Sequence, residues 1–234
     1  MKKTAIVLIA FLCQLALQAQ DVVLDANVMP RSISGSFDNI RLSGNIKLVL
    51  SQGNDVSLAV SASQEKYADE IKTEIENNTL RIFTAADNWV RKKEYTVYLG
   101  FKQIAALAAS GAGSIKVVGP LVLKDFKVDL SGASNIHGTL NVESLTIALS
   151  GASAAKLSGT AKHLNINSSG ASDVNAFGLQ SMFCSANAAG ASDLRVNATQ
   201  ELNAVASGAS HIYYKGDAEK VNIKNSGVSK VLRQ

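Results

Sequence analysis

Leu145-Thr146-Ile147-Ala148-Leu149-Ser150-Gly151-Ala152-Ser153 (residues 145–153) is the stretch that decides the fold. Its first five residues alternate in the manner of a strand with one buried face. The four that follow recur down the chain: SGAG at Ser110, SGAS at Ser131, Ser150 and Ser169, AGAS at Ala189, SGAS at Ser207 and SGVS at Ser226. Successive copies begin 21, 19, 19, 20, 18 and 19 residues apart. A near-constant period of this size marks a solenoid, in which each repeat is one coil stacked on the last.

With the first signature residue of each repeat numbered zero, three apolar columns appear. Position −5 holds Ala105, Phe126, Leu145, Leu164, Cys184, Leu202 and Val221, and position −3 holds Leu107, Val128, Ile147, Ile166, Ala186, Ala204 and Ile223. Position +5 holds Ile115, Ile136, Ala155, Val174, Leu194, Ile212 and Val231. The alternation breaks off at the signature, which predicts a parity shift and a corner there. Gly at +1 suits a corner because it takes positive φ without a Cβ clash. Ala at +2 is expected at the tightest point of the stack, where coils lie ~4.8 Å apart. A second corner is expected near Gly119, Gly138, Gly159, Gly178 and Gly216. The fold predicted is all-β: a parallel β-helix-like solenoid with coils of about 19 residues.

Residues 1–19 read as a signal peptide, with Lys2-Lys3, an apolar run over residues 5–12 and a small residue, Ala19, before the cut. The run is shorter than the ~20 residues of a bilayer span, so the mature chain is expected to have no transmembrane segment. Cys13 follows bulky Phe11 and Leu12, which disfavours lipidation. Without the leader, formal charge falls from +4 to +2 and Cys184 is the only cysteine. That balance gives no electrostatic case for nucleic acid, and a single thiol allows no intramolecular disulfide. Residues 20–35 read as a linker and 36–100 as divergent β-rich first coils or a cap lacking the signature. Within them a short helix is expected over 64–71 and a hairpin at Ile71–Ile75 and Thr79–Phe83, turning through Glu76-Asn77-Asn78. Residues 101–234 are the repetitive solenoid.

Several stretches, taken in order, resemble a bacterial family of auto-transporter adhesin head GIN domains. They are Phe37-Asp38-Asn39-Ile40, Gly44 to Gly53, Ile71 to Ile82, Tyr95 to Leu99 and the SGAG/SGAS series, a match over roughly residues 33–234. The resemblance implies one continuous domain with a β-helical body in an exported Gram-negative envelope protein, and an adhesion role. The expected location is the periplasm, the outer membrane surface or the cell exterior. No stretch reads as a translocator barrel, so self-secretion is not expected.

Candidate chemistry is sparse. Asp173 and Asp193 share position +4, but that column also holds Ser114, Asn135, Ala154, His211 and Lys230, so the two acids read as solvated rather than as an acid/base pair. His137, His163 and His211 occupy different positions in their coils, which excludes a shared metal site. Cys184 falls among inward aliphatics and reads as an inert buried thiol. Arg91-Lys92-Lys93 reads as a solvated basic loop. No enzyme activity and no cofactor are expected. The candidate binding surface is the outward Asn-rich face at −4 and −2, with Asn165, Asn167, Asn187, Asn203 and Asn222. Amides there can meet sugar hydroxyls, or they can simply solvate the sheet and ladder with one another. The function expected is display or binding of surface glycans or of envelope or host proteins. A structural or assembly role, with homo-oligomers, is the alternative, and a carbohydrate-active β-helix enzyme is a more remote one.

Overall fold

Period-two stretches become strands throughout the computed structural model, which describes residues 27–84 and 93–234. The N-terminal strands are β1 (Met29–Arg31), β2 (Asn39–Gly44), β3 (Lys47–Gln52), β4 (Ser57–Ala62), β5 (Ile71–Glu76), β6 (Thr79–Thr84), β7 (Tyr95–Phe101) and β8 (Ala106–Gly111). Long bent strands follow, one to a coil: β9 (Ser114–Leu130), β10 (Asn135–Leu149), β11 (Ala154–Ser168), β12 (Asp173–Ala188) and β13 (Asp193–Ala206). β14 (His211–Lys215), β15 (Lys220–Asn225) and β16 (Lys230–Arg233) make the last coils. From β9 to β16 every pairing is parallel and each strand lies on its counterpart one coil earlier, as in Leu145↔Leu164 and Leu164↔Cys184. The solenoid is therefore as the period predicts.

The columns at −3 and +5 point inward and are almost fully buried through the internal coils. At −5 the first member departs from the pattern: Ala105 is exposed and Ile104 is buried in its stead. In the last coil Val221 and Ile223 are 38% and 42% exposed, because no described strand stacks beyond β15.

Parity behaves differently from the expectation. In the coil from Ser131, inward residues run Ser134, Ile136, Gly138, Leu140, Val142 and then Leu145, Ile147, Leu149. The inward parity is thus the same on both sides of the signature, at −1 and +3, runs on through Gly138, and shifts only between Val142 and Leu145.

Crowding also sits one residue earlier than expected. Ala133, Ala152 and Ala171 at +2 are exposed. Their N–H groups donate to the carbonyl of the glycine one coil earlier, as in Ala152 N to Gly132 O at 2.8 Å. Gly151 has φ +73°, and a Cβ on it would stand 2.6 Å from the Gly132 oxygen. The same contact recurs from Gly132 to Gly227. Glycine is required at +1 by its neighbour's backbone as much as by its own φ.

The second signature serine is buried. Ser134, Ser153, Ser172, Ser192 and Ser210 are at most 2% exposed, and each donates its hydroxyl to the carbonyl three residues back, for example Ser172 to Ser169 O at 2.8 Å. This closes the corner and satisfies a hydroxyl that would be costly to bury unpaired. Ser168, in the inward −1 column of Leu130, Leu149 and Ala188, is the contrast: its buried Oγ has no hydrogen-bond partner among the described residues.

The N-terminal part contains a corner the sequence reading missed. Ser43-Gly44 lies in register with Ser110-Gly111, and Gly44 has φ +99°. β2 and β3 thus form a coil beneath β8 and β9, and β6 and β7 pair parallel with β2 and β3 on its other side. Antiparallel β5 and β4 then close over β6 and β7, with β1 outside β4. The helix expected at 64–71 is a 3-10 helix over Glu65–Glu70, tied down by Arg31, whose guanidinium donates to the carbonyls of Ala68 and Ile71. The hairpin turn forms as expected, with Asn77 and Asn78 at φ 48° and 60° as in a two-residue turn of the primed kind. The leader at 1–19 and Arg91-Lys92 lie outside the described residues.

Two stability measurements follow from the corner. Gly151→Ala should cost about 2 kcal/mol or more in urea unfolding, whereas Ala152→Ser should stay within about 0.5 kcal/mol. Ser172→Ala should cost about 1 kcal/mol, whereas Ser168→Ala should stabilise by a similar amount because it removes an unpaired buried hydroxyl.

Candidate ligand-binding groove

Between positions −2 and 0 the outer surface is concave. The −1 side chains there point into the core, so the main chain forms a floor between the two outward columns. The resulting groove, of about 780 Å³, runs from Arg41 and Arg81 at the capped end to Val205 and Ser207. At ~4.8 Å per coil, the six steps from Ser43 to Ser207 make it about 29 Å long. The zero column lines one wall with hydroxyls, including Ser131, Ser150 and Ser169. Along the −2 wall, Ala108 and Ala148 leave dips where a methyl is all that projects.

The structure brings two of the five candidate asparagines into the groove, Asn167 and Asn187. Asn187 Nδ2 donates to Asn167 Oδ1 at 3.0 Å, and Asn167 Nδ2 donates to Asn165 Oδ1 at 3.3 Å. Asn165, Asn203 and Asn222 stand in the −4 column, outside the groove. Asn222 donates to Asn203 Oδ1 at 2.8 Å, and Asn203 donates to Glu201 Oε1 at 2.9 Å. The Asn203 amide first, then the Lys220 ammonium, hold the Glu201 carboxyl below its ordinary range. These amides form ladders, yet each ladder bond uses one N–H and one lone pair. The remaining donors and acceptors are left in fixed orientations. Sequence reasoning missed the serine lining, because the outward members of the signature had been assigned to the corner alone.

Charged groups at the groove are mostly tied down. Arg81 pairs with Glu76 at 2.6 Å and Asp129 with Lys127 at 2.9 Å. The acids weighed for catalysis, Asp173 and Asp193, stand opposite each other in register, each with its own partner. Asp173 accepts from Arg195 at 2.7 Å, and Asp193 faces His211 Nδ1 at 3.1 Å. His163 stacks on Phe183 with ring centroids 5.0 Å apart. Lys93, the last residue of the basic run, pairs with Glu70 at 2.8 Å and lies over the Tyr67 ring. No group of three metal-ligating side chains occurs among the described residues, and no described helix is long and apolar enough to cross a membrane.

Cys184 is 2% exposed in the −5 column, and burial pushes its thiol up to about 12, partly opposed by a hydrogen bond with Ser181. The folded protein favours the neutral thiol. Its contribution to stability is therefore complete below the ordinary thiol value of 9.0 and declines as pH rises toward about 12. At pH 8 the native thiol should resist iodoacetamide and react only in denaturant, as mass spectrometry of the alkylated chain would record.

Solved structures share this architecture. A protein described as a putative adhesin from Bacteroides fragilis is 20% identical, with TM-score 0.80, over 90% of this chain and 98% of that one. A putative adhesin from Parabacteroides merdae is 20% identical, with TM-score 0.66, over 90% and 97%. A protein from Parabacteroides distasonis described as a putative lipid binding protein is 21% identical, with TM-score 0.65, over 90% and 98%. At these identities the likeness is one of fold. No curated protein matches the sequence. The family model described as putative auto-transporter adhesin, head GIN domain, matches residues 36–218, and the chain belongs to that family.

Proposed function

We propose that this chain is an exported, adhesin-type module of the cell envelope or surface that acts by binding, and that its −2/0 groove holds an extended glycan. The observation that carries this reading is the groove itself, about 780 Å³ and crossing successive coils, with serine hydroxyls on one wall and the Asn167–Asn187 ladder on the other. Sugars need donors and acceptors at fixed spacing, together with small apolar dips for their C–H faces. Ala108 and Ala148 provide such dips. Membership of an adhesin family supports binding over turnover, as does the separate pairing of Asp173 and Asp193. The basic start and apolar run of residues 1–19 support export.

Lipid binding, the description given to one structural neighbour, asks for an apolar cavity. Here the coil interior is filled by Leu, Ile, Val and Ala, and the groove is an open trough in which Ser and Asn alternate with Ala and Leu rather than an enclosed apolar cavity. An assembly role draws on a different observation, the exposed Val221 and Ile223 of the last coil.

A glycan array followed by calorimetry tests the groove. Asn167→Ala with Asn187→Ala should weaken a neutral ligand by about tenfold, and Ala148→Trp should abolish binding by filling a dip, with both variants keeping the parent melting temperature. An array on which nothing is retained at high protein concentration sinks the reading.

A further inference from the structure

Formal charge outside the leader is only +2, but the fold distributes it unevenly. On the strands after the signature, position +6 faces outward and stacks Lys116, His137, Lys156, Asn175, Arg195 and Tyr213 in register. Farther along, the cations are engaged: Arg195 holds Asp173 and lies over the Tyr213 ring, and Lys215 lies over Phe177. Lys116, His137 and Lys156 are exposed, and among the described residues none has an ion pair or side-chain hydrogen bond. Their lateral neighbours are Ser114, Asn135 and Ala154 on one side and Val118, Thr139 and Ser158 on the other. No carboxylate lies in that block. The next acid along the +4 column, Asp173, is taken by Arg195 at 2.7 Å.

Lys116 and Lys156 flank His137 on alternate strands with no counter-charge beside them, so the complement of this row is anionic and repeats along the solenoid axis. We propose that the +6 face binds a linear acidic polysaccharide lying along the coils, with successive anionic groups meeting Lys116 and Lys156, about 10 Å apart. The coil repeat is comparable with one sugar residue, and the intervening Asn135, Thr139 and Ser158 offer amide and hydroxyl groups to the sugar hydroxyls between charges. A membrane surface would ask for apolar side chains beside the lysines that are free to enter the headgroup region; the one large apolar neighbour, Val118, packs against the Val49 and Tyr98 cluster, and the others are Ser, Asn, Thr and Ala. Single-stranded nucleic acid would ask for open aromatic faces, and Phe177 and Tyr213 already carry Lys215 and Arg195. This surface shares no residue with the groove and goes beyond the glycan reading, which does not depend on it.

The test is binding of the protein without its leader to immobilised polygalacturonate, heparin and neutral dextran across a salt series. Retention on the two acidic polymers and not on dextran is expected, with carboxylated and sulfated chains compared to identify the preferred anion. Lys116→Gln with Lys156→Gln should weaken binding by about tenfold and flatten the salt dependence by about one to two units of log–log slope. Lys124→Gln with Lys162→Gln removes the same charge elsewhere on the coil and should leave binding close to the parent. Thermal melts verify that both double variants fold. Equal weakening by the two pairs, retention on dextran, no retention at low salt, or preference for anionic vesicles or an oligodeoxynucleotide would each overturn the proposal.

Discussion

One contact governs the molecule: the α-carbon of each signature glycine against the carbonyl oxygen of the glycine one coil earlier. In a parallel stack every corner must repeat at strand spacing, and a corner normally lifts main chain out of the ladder. Here the chain turns without leaving it, because the +2 N–H still donates to the glycine below. That arrangement leaves no volume for a side chain. The inward serine then closes the turn from within by its bond to the carbonyl three residues back.

Much of this was legible because a solenoid writes its structure as columns. The inward aliphatics at −3 and +5 could be read from spacing alone, and so could the burial of Cys184, since each row repeats the same environment. The roles inside the signature were less legible. Four small residues in a row carry no periodic contrast, so nothing in composition says that Ala152 is exposed while Ser153 is buried. The coil at Ser43-Gly44 was hidden for a related reason. Its signature has decayed to Ser-Gly-Asn-Ile, and its neighbours in space come from residues 79–82, 96–101, 106–111 and 114–118, far away in sequence.

The candidate groove was only half legible. Asn167 and Asn187 announce themselves as outward amides, but concavity comes from what is missing, the short side chains at Ala108, Ala148 and the zero-column serines. A sequence column shows which way a residue points more readily than how far the surface falls away beside it. The cationic row was illegible for another reason. A charge count averages over all faces, and only register places Lys116, His137 and Lys156 together while leaving the acids elsewhere.

Coil length varies, yet the inward columns stay aligned, and the pairing shows where the slack is taken up. Register slips fall between His137 and Thr139, between Lys156 and Ser158, and between Ala176 and Phe183, always after +6 and before the next −5. The fold is thus divided lengthwise into a calibrated edge and an elastic one. Insertions and deletions on the elastic edge change a loop's reach without moving the groove or the +6 row. One side of the rod can therefore vary freely in length while the spacing of the columns on the other side remains that of the β-sheet.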